Sequence, residues 1–295
     1  MVVTEKRKIT PRPQSMRERA ERVETREAKM IAALSPNLNV MVKAVRKAGH
    51  RMIRDFGEVA NLQVSQKAPG DFVSNADTMA EKILMESLHE DRPDYGFIGE
   101  ELGVTPAQHE SQFTWIIDPI DGTTNFLHAI PAFAISVALR QNDEIVAGVT
   151  YNPVTSELYY AEKGKGAFLM TPTGNVRLRV SGRKQLSYAL VGSNGFTNRK
   201  NRDTLDKVVS KVASIRYNGC TTLSLAAVAA GQLDFYVATQ FKLWDLAVGL
   251  LLIREAGGYV GSFAGATDLD QIVEQQTLLA SNMVLKETVR KIIGA

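Results

Sequence analysis

The sequence has few of the residues that mark disulfide-rich or cysteine-based metal proteins. Of its 295 residues one is a cysteine, Cys220, and four are histidines, none of which forms a pair at metal-ligand spacing. A single cysteine excludes an intramolecular disulfide and any zinc or iron–sulfur site with several cysteine ligands, and it is typical of a reducing compartment. Because no histidine lies near Cys220 in the sequence, a cysteine–histidine nucleophile is not indicated either.

Long apolar runs are also missing. The longest uncharged run, residues 122–139, contains threonine, asparagine, histidine and proline, so it is not typical of a membrane span. The N-terminus lacks the apolar stretch of a secretory signal, and five glutamates within the first 30 residues disfavour a transit peptide. We therefore expect a soluble, cytoplasmic protein.

The net charge of +3, from 35 basic and 32 acidic side chains, is unevenly distributed. Residues 1–30 hold nine basic and five acidic side chains, a sum of +4, so residues 31–295 sum to −1. With Pro11 and Pro13 and no apolar stripe before Met30, residues 1–36 are predicted to form a solvated arm. The arm is either dispensable or a tether through which residues 1–30 bind RNA or another acidic surface, and translation from Met30 is a further option.

Hydrophobic periodicity predicts a layered protein of two halves. Apolar residues at helical spacing predict one helix from Asn37 to Gly57 and a second over 80–88. Short strands are predicted at 113–117, 132–139, 145–151 and 158–161. After about Arg183 strands and helices alternate. We predict an α+β half at 37–183, rich in antiparallel strands, and an α/β half at 184–295.

The most informative segment is Asp118-Pro119-Ile120-Asp121-Gly122-Thr123-Thr124-Asn125-Phe126. Two carboxylates follow a buried strand, and the N–H groups of Gly122 and Thr123 could hold an anion at a helix N-terminus. Carboxylates repel a phosphate unless cations lie between them, and this combination favours Mg²⁺, which binds oxygen ligands and phosphate together. Taken alone, a segment of this kind is usually only an ordinary Asp-Gly turn.

Three further segments carry acids that have ordinary explanations when each is taken alone. Glu100 and Glu101 follow a short apolar run and would normally be an exposed pair. Asp77 and Asp245 each stand at the start of a predicted helix, where an acid is a common N-cap. Four acidic segments in this order are nevertheless hard to explain as four separate coincidences.

These segments resemble the inositol monophosphatase family of Mg²⁺-dependent, lithium-sensitive sugar phosphatases. The resemblance covers roughly residues 38–295. Its motifs are Lys67 with Asp71–Asp77, Gly99-Glu100-Glu101, Asp118–Phe126, and Trp244-Asp245 followed by Glu255-Ala256-Gly257-Gly258. It implies a layered αβαβα fold, a homodimer, and hydrolysis of a small phosphate monoester, foremost inositol 1-phosphate, by a metal-activated water.

The resemblance also implies two to three Mg²⁺ ions per active site. The first ion would be held by Glu100, Asp118 and the carbonyl of Ile120, and the second by Asp118, Asp121 and Asp245. A third, weaker site would lie near Glu100 and Asp77. Two metals that share a ligand can clamp the attacking and leaving oxygens of an in-line displacement.

Catalytic and substrate-binding roles follow from the same resemblance. Thr123, bonded to Asp77, would orient the attacking water, with Glu100 at the metal beside it. Backbone N–H groups of Gly122 and Thr123 would bind phosphate. The substrate would also contact Asp121 and Asp245. Lys67 is expected on a mobile loop that closes over the metals.

Substrate choice is less determined, because Ala238 stands where inositol-selective relatives carry an acid, seven positions before Asp245. Candidate replacement contacts are Ser193, Thr221 and Lys242, whereas Cys220 and Thr222 are assigned to packing at a helix entry.

Other small substrates therefore stay open: histidinol phosphate, fructose bisphosphate and 3′-phosphoadenosine 5′-phosphate. So does a regulatory homologue that binds RNA or the transcription machinery. An inactive homologue is disfavoured, since every expected metal carboxylate is present.

Overall fold

Helices and strands are distributed along residues 28–58, 64–68, 71–195 and 199–294, the part of the chain described by a computed structural model. After a short helical stretch at residues 28–32, the α-helices of this part are α1 (Pro36–Gly57), α2 (Asn75–Asp91), α3 (Thr123–Leu127), α4 (Arg199–Val209), α5 (Thr221–Ala229), α6 (Leu243–Glu255), α7 (Leu269–Gln275) and α8 (Lys286–Ile293). The strands are β1 (Val64–Ala68), β2 (Asp71–Ser74), β3 (Gly96–Gly99), β4 (Gly103–Thr105), β5 (Phe113–Asp121), β6 (Ala134–Gln141), β7 (Glu144–Asn152), β8 (Glu157–Glu162), β9 (Gly166–Thr171), β10 (Gly174–Arg177), β11 (Leu190–Ser193), β12 (Ser214–Arg216), β13 (Phe235–Thr239), β14 (Tyr259–Gly261) and β15 (Thr277–Ser281).

The first long helix has the limits that its sequence predicts. Ser35 is the N-cap of α1, and its hydroxyl accepts the N–H of Leu38 at 3.4 Å, while Pro36 stands where a missing N–H costs nothing. The preceding Met30, Ile31 and Leu34 pack against the same core. The prediction of a solvated arm reaching residue 36 was therefore wrong at its end, because these apolar side chains have a surface to cover. Residues 1–27 lie outside the described part of the chain.

The larger sheet has eight strands in the order β10-β9-β8-β7-β6-β5-β3-β4, and only the β3–β5 pair is parallel. Side chains alternate between its faces, as the pleat requires. In β5, Trp115 and Ile117 belong to a core shared with α1 and α2, whereas Ile116 belongs to a core on the other face. The sheet is therefore buried on both sides.

The smaller sheet has five strands in the order β12-β11-β13-β15-β14, with β11 parallel to both its neighbours. Helices α5 and α6 pack between the two sheets, and α4 and α8 cover the outer face of the smaller one. The layers are thus helix, sheet, helix, sheet, helix, and the predicted αβαβα architecture is confirmed. Because one core joins the halves, the division at residues 183 and 184 stays a proposal.

Helix α6 is the central element of this arrangement. Its residues Leu246 to Ile253 are all buried, so it is apolar on every side and needs neighbours all round. A Cβ on Gly249 would stand 2.4 Å from Leu225, which shows how closely α5 and α6 approach. At its C-terminal end, Glu255 accepts the N–H groups of Gly164 and Gly166, both at 2.7 Å. None of the helices in the described residues is long and apolar enough to cross a bilayer.

Several elements differ from the sequence-based expectation. Strand β5 continues to Asp121, past the expected exit at Asp118, because a register shift between these residues accommodates Pro119 within the pairing with β6. Helix α4 begins at Arg199, whereas the hydrophobic pattern predicts a helix only from Asp203. Strands β4, β10 and β15 and helices α7 and α8 were not predicted, since short elements carry little periodic signal.

A buried carboxylate ties the connection between the halves to the smaller sheet. Asp234, fully buried just before β13, accepts the N–H of Leu190 at 2.7 Å and the Arg183 guanidinium at 3.1 Å, together with the hydroxyl of Ser181. Its own backbone N–H donates to the carbonyl of Leu190 at 2.9 Å. One side chain thus satisfies donors from the incoming loop and from the first residue of β11.

We expect Asp234→Ala to lower the free energy of unfolding by about 2–4 kcal/mol, because it leaves the N–H of Leu190 buried without an acceptor. Urea denaturation followed by circular dichroism measures the change. Asp206→Ala, which removes an exposed carboxylate from α4, is the matched control and should stay within about 0.5 kcal/mol of the parent protein. Equal midpoints for the two variants would contradict this assignment.

Candidate active site

Asp118 lies at the irregularity in β5 and is 1% exposed. Strand pairing with β6 is regular up to Asp118 opposite Ser136 and resumes at Asp121 opposite Ala134. The Oδ1 atom of Asp118 is buried and has no hydrogen-bond partner among the residues that the structure describes. A buried carboxylate oxygen without a donor is costly for a protein, so it marks a position where a cation or another donor belongs.

Four other acids surround this carboxylate. Burial raises the pKa of Asp118 well above its ordinary value, and the negative charges of Glu100, Asp121, Asp245 and Asp77, in that order, raise it further. These acids come from the turn after β3, the end of β5, and the first turns of α6 and α2. The structure therefore brings the five predicted acids into one electrostatically coupled cluster.

The carboxylates are held by neighbouring donors and do not form a ready-made metal cage. In the described part of the chain, no three Asp, Glu, His or Cys side chains are arranged as a metal-binding group. Asp121 Oδ2 accepts the N–H of Thr222 at 2.5 Å, and Asp245 Oδ2 accepts the N–H of Lys242 at 2.7 Å. The donor chemistry nevertheless fits Mg²⁺, because the cluster combines surplus negative charge with the unpartnered oxygen of Asp118.

Thr123 connects two parts of the cluster. Its hydroxyl lies 3.0 Å from the carbonyl oxygen of Ile120 and 3.3 Å from Asp77 Oδ1. Since a hydroxyl has one proton, it can donate to one of these oxygens at a time and accept a hydrogen bond from a third group. The expected Thr123–Asp77 pair is thus present in the geometry, at the start of α3, whose N-cap is Gly122 at a φ of 92°.

The loop before α5, in the second half of the chain, also lies beside the acidic cluster. The amide nitrogen of Asn125 donates to the carbonyls of Ala132 and Asn218, both at 2.7 Å. Gly219, at a φ of 68°, has no room for a side chain, because a Cβ would stand 2.9 Å from the Asn125 amide. Asn125 therefore connects the loop before α5, in the second half, to the residues around Ala132 in the first half.

Cys220 and Thr222 are buried at the entry of α5, as expected, but both also bond to Asp121. The thiol of Cys220 donates to Asp121 Oδ2 at 3.1 Å, beside the Thr222 N–H. Burial, followed by the charge of Asp121, raises the pKa of Cys220 well above its ordinary value, so the thiol keeps its proton. The first N–H groups of a helix have no partner within it, and this could have indicated that α5 needs an acceptor from elsewhere.

The remaining predicted contacts lie at several distinct places. Thr221 is the first residue of α5 and accepts a hydrogen bond from Tyr236 at 3.4 Å. Lys242 is the N-cap of α6, so the Asp245 carboxylate is both a capping acid and a member of the cluster. Ser193 ends β11, and its hydroxyl accepts the N–H of Gly195 at 3.4 Å. Lys67 was expected on a loop, but it lies in strand β1, which pairs with β2; its side chain lies outside the described residues.

Strand β13 presents an aromatic side chain that the sequence did not indicate. Tyr236 is fully buried, and burial raises its pKa well above the ordinary value, with the charges of Asp121 and Asp245 acting in the same direction. Ala238, two residues further on, is also fully buried and belongs to the core between the sheets. Ala238 therefore offers no polar contact to a substrate, as its side chain predicts.

Known proteins match the sequence of this chain over most of its length. A sequence model of the inositol monophosphatase family matches residues 33–294. An inositol-1-monophosphatase of Rhizobium meliloti (strain 1021) is 48% identical over 266 residues, covering 88% of this chain and 97% of that protein. A Nus factor SuhB of Xylella fastidiosa (strain Temecula1) is 37% identical over 267 residues, covering 88% of this chain and 94% of that protein.

A solved structure agrees with the fold. The extragenic suppressor protein suhB of Bartonella henselae matches with a TM-score of 0.82 at 42% identity, covering 88% of this chain and 98% of that chain. The five-layer fold, the four acidic segments around Asp118 and the family match confirm the resemblance found in the sequence. This chain is a member of the inositol monophosphatase family.

Proposed function

We propose that this protein hydrolyses small phosphate monoesters with Mg²⁺ as cofactor, and that inositol 1-phosphate is its foremost candidate substrate. The observation that carries the proposal is the buried, unpartnered oxygen of Asp118 within a cluster of five acids. A phosphate dianion does not enter such a cluster unless cations offset its charge. The relatives named inositol-1-monophosphatase, at 46–48% identity, support the substrate class.

The proposed ligands are those that the family resemblance implies. Two ions would be held by Glu100, Asp118, the carbonyl of Ile120, Asp121 and Asp245, with Asp118 shared between them and a third, weaker site near Asp77. When bound, the ions supply positive charge that stabilises the oxygens of the phosphate during displacement.

The chain itself would position the water and the substrate. The Thr123 hydroxyl lies 3.3 Å from Asp77, so the pair can hold a water and accept its proton as the water attacks phosphorus. Backbone N–H groups of Gly122 and Thr123 would bind the phosphate oxygens, and Asp121 and Asp245 would contact the organic part of the substrate. Lys67, in strand β1, remains a proposed contact at the metal site.

Several finer properties belong to the same proposal and follow from the family resemblance. They are inhibition by Li⁺, a homodimeric state, a cytoplasmic location and two to three ions per site. The single cysteine supports the location, because intracellular proteins rarely depend on disulfides.

A regulatory role is the second candidate, because relatives at 33–37% identity carry the name Nus factor SuhB. Such a role would use the basic residues 1–30 and an RNA or a component of transcription. Binding of RNA by the full chain, lost in a protein that starts at Met30 and weakened by salt, would support it.

Substrate identity is tested by phosphate release from a panel of monoesters with Mg²⁺, with and without Li⁺. The panel contains inositol 1-phosphate, histidinol phosphate, fructose 1,6-bisphosphate and 3′-phosphoadenosine 5′-phosphate. We expect the highest rate with inositol 1-phosphate and inhibition by Li⁺. Release from one of the others alone would reject inositol phosphate, and no release from any would favour the regulatory role.

Asp118→Asn should lower phosphate release at least about 1,000-fold, because a lost ligand removes several kcal/mol of charge stabilisation from the transition state. Circular dichroism should show an unchanged fold. Asp206→Asn, an exposed acid on α4, is the control and should keep the parent rate. Near-parent activity of Asp118→Asn would contradict the proposed metal site.

The same variant should be more stable than the parent protein in the presence of a chelator. A raised pKa in the folded state means that this state binds the proton more tightly than the unfolded chain does, so stability falls as the pH rises from the unfolded value of about 3.9 through the folded one. At pH 8 Asp118→Asn should therefore melt at a higher temperature. Mg²⁺ should raise the melting temperature of the parent protein but not of the variant; an equal gain in both would contradict this.

A further inference from the structure

Glu81 is a buried carboxylate on α2 that the proposed mechanism does not use. Its side chain is fully shielded from solvent, yet both of its oxygens have partners. Oε2 accepts the backbone N–H of Glu101 and Oε1 accepts that of Leu102, each at 2.9 Å. Two acceptors on one rigid group therefore hold two consecutive N–H groups of the turn between β3 and β4.

This turn also carries Glu100, whose backbone is fixed from its other side. The N–H of Glu100 donates to the carbonyl of Ile117 at 3.3 Å, and Ile117 directly precedes Asp118 in β5. Three consecutive N–H groups of the turn are thus bonded, one to β5 and two to Glu81. The position of Glu100 relative to Asp118 depends on both attachments.

Gly99 makes the close approach of Glu81 possible. A Cβ built on Gly99 would stand 1.9 Å from Glu81 Oε1 and 2.7 Å from its carboxyl carbon. Any side chain there would displace the carboxylate or the strand. The Gly99-Glu100-Glu101 motif therefore has a physical explanation: the glycine makes room for the carboxylate that holds the acid following it.

We propose that Glu81 is a positioning residue that sets the Mg²⁺ affinity of the site at Glu100, by clamping the turn so that Glu100 faces Asp118. This inference rests on the proposed function. A carboxylate suits the role because two backbone donors need two acceptors. A glutamine offers only one acceptor, and its NH₂ group would oppose the second N–H.

Calorimetric titration of the full-length, metal-free protein with MgCl₂ tests the role of Glu81 directly. For Glu81→Gln we expect the Kd of Mg²⁺ to rise about 10–100-fold, the usual effect of removing a group that orients a metal ligand. The Mg²⁺ concentration that half-saturates phosphate release should rise with it, and higher Mg²⁺ should restore much of kcat. The control, Glu86→Gln, removes an exposed carboxylate from the same helix and should leave both values unchanged.

Gly99→Ala provides a second variant that keeps the charge but pushes the Glu81 carboxylate away, and it decides the question if Glu81→Gln does not fold. A lowered melting temperature with a parent-like Kd for Mg²⁺ in the folded variants would show a purely structural role and overturn the proposal. Failure of the parent protein to bind Mg²⁺ or release phosphate would instead overturn the proposed function, and the role of Glu81 with it.

Discussion

Mutual repulsion among clustered carboxylates is the constraint on which the rest of this structure depends. Asp118 and four further acids come together from four segments of the chain, and Oδ1 of Asp118 is buried without a donor among the described residues. In a low-dielectric interior such a cluster opposes folding, so packing elsewhere must hold it together. The five layers provide this, because the sheets and the helices between them bury apolar side chains on both faces of each sheet.

Backbone N–H groups bond to two of the acids, other bonds hold the turn that bears a third, and Asp77 lies 3.3 Å from the Thr123 hydroxyl. Thr222 at the start of α5 bonds to Asp121, and Lys242 at the start of α6 bonds to Asp245. Glu81 and Ile117 hold the turn that bears Glu100. Neutral donors keep the carboxylates oriented without neutralising them, so the negative potential at Asp118 is preserved for a cation.

The acids themselves were recognisable in the sequence, but the groups that hold them were not. Asp118 and Asp121 follow an apolar run, and residues 118–126 form one continuous motif. Cys220 is 99 positions away from the Asp121 that it contacts, and nothing local indicates that pairing. Glu81 sits in a helical pattern where a glutamate is ordinarily exposed, and only the missing side chain of Gly99 hints at its contact. Periodicity predicted the long elements well, whereas short edge strands such as β4 and β10 depend on partners distant in the chain.

The position of α6 along the chain has a consequence for synthesis of the protein. The inner face of the larger sheet is covered by α6, which begins at residue 243, whereas β6 ends at residue 141, 102 positions earlier. As the chain emerges from the ribosome, that apolar face stays uncovered until the helix follows. We expect a nascent chain with this exposed apolar face to bind chaperones. A chain that ends before α6 is expected to aggregate through the same face.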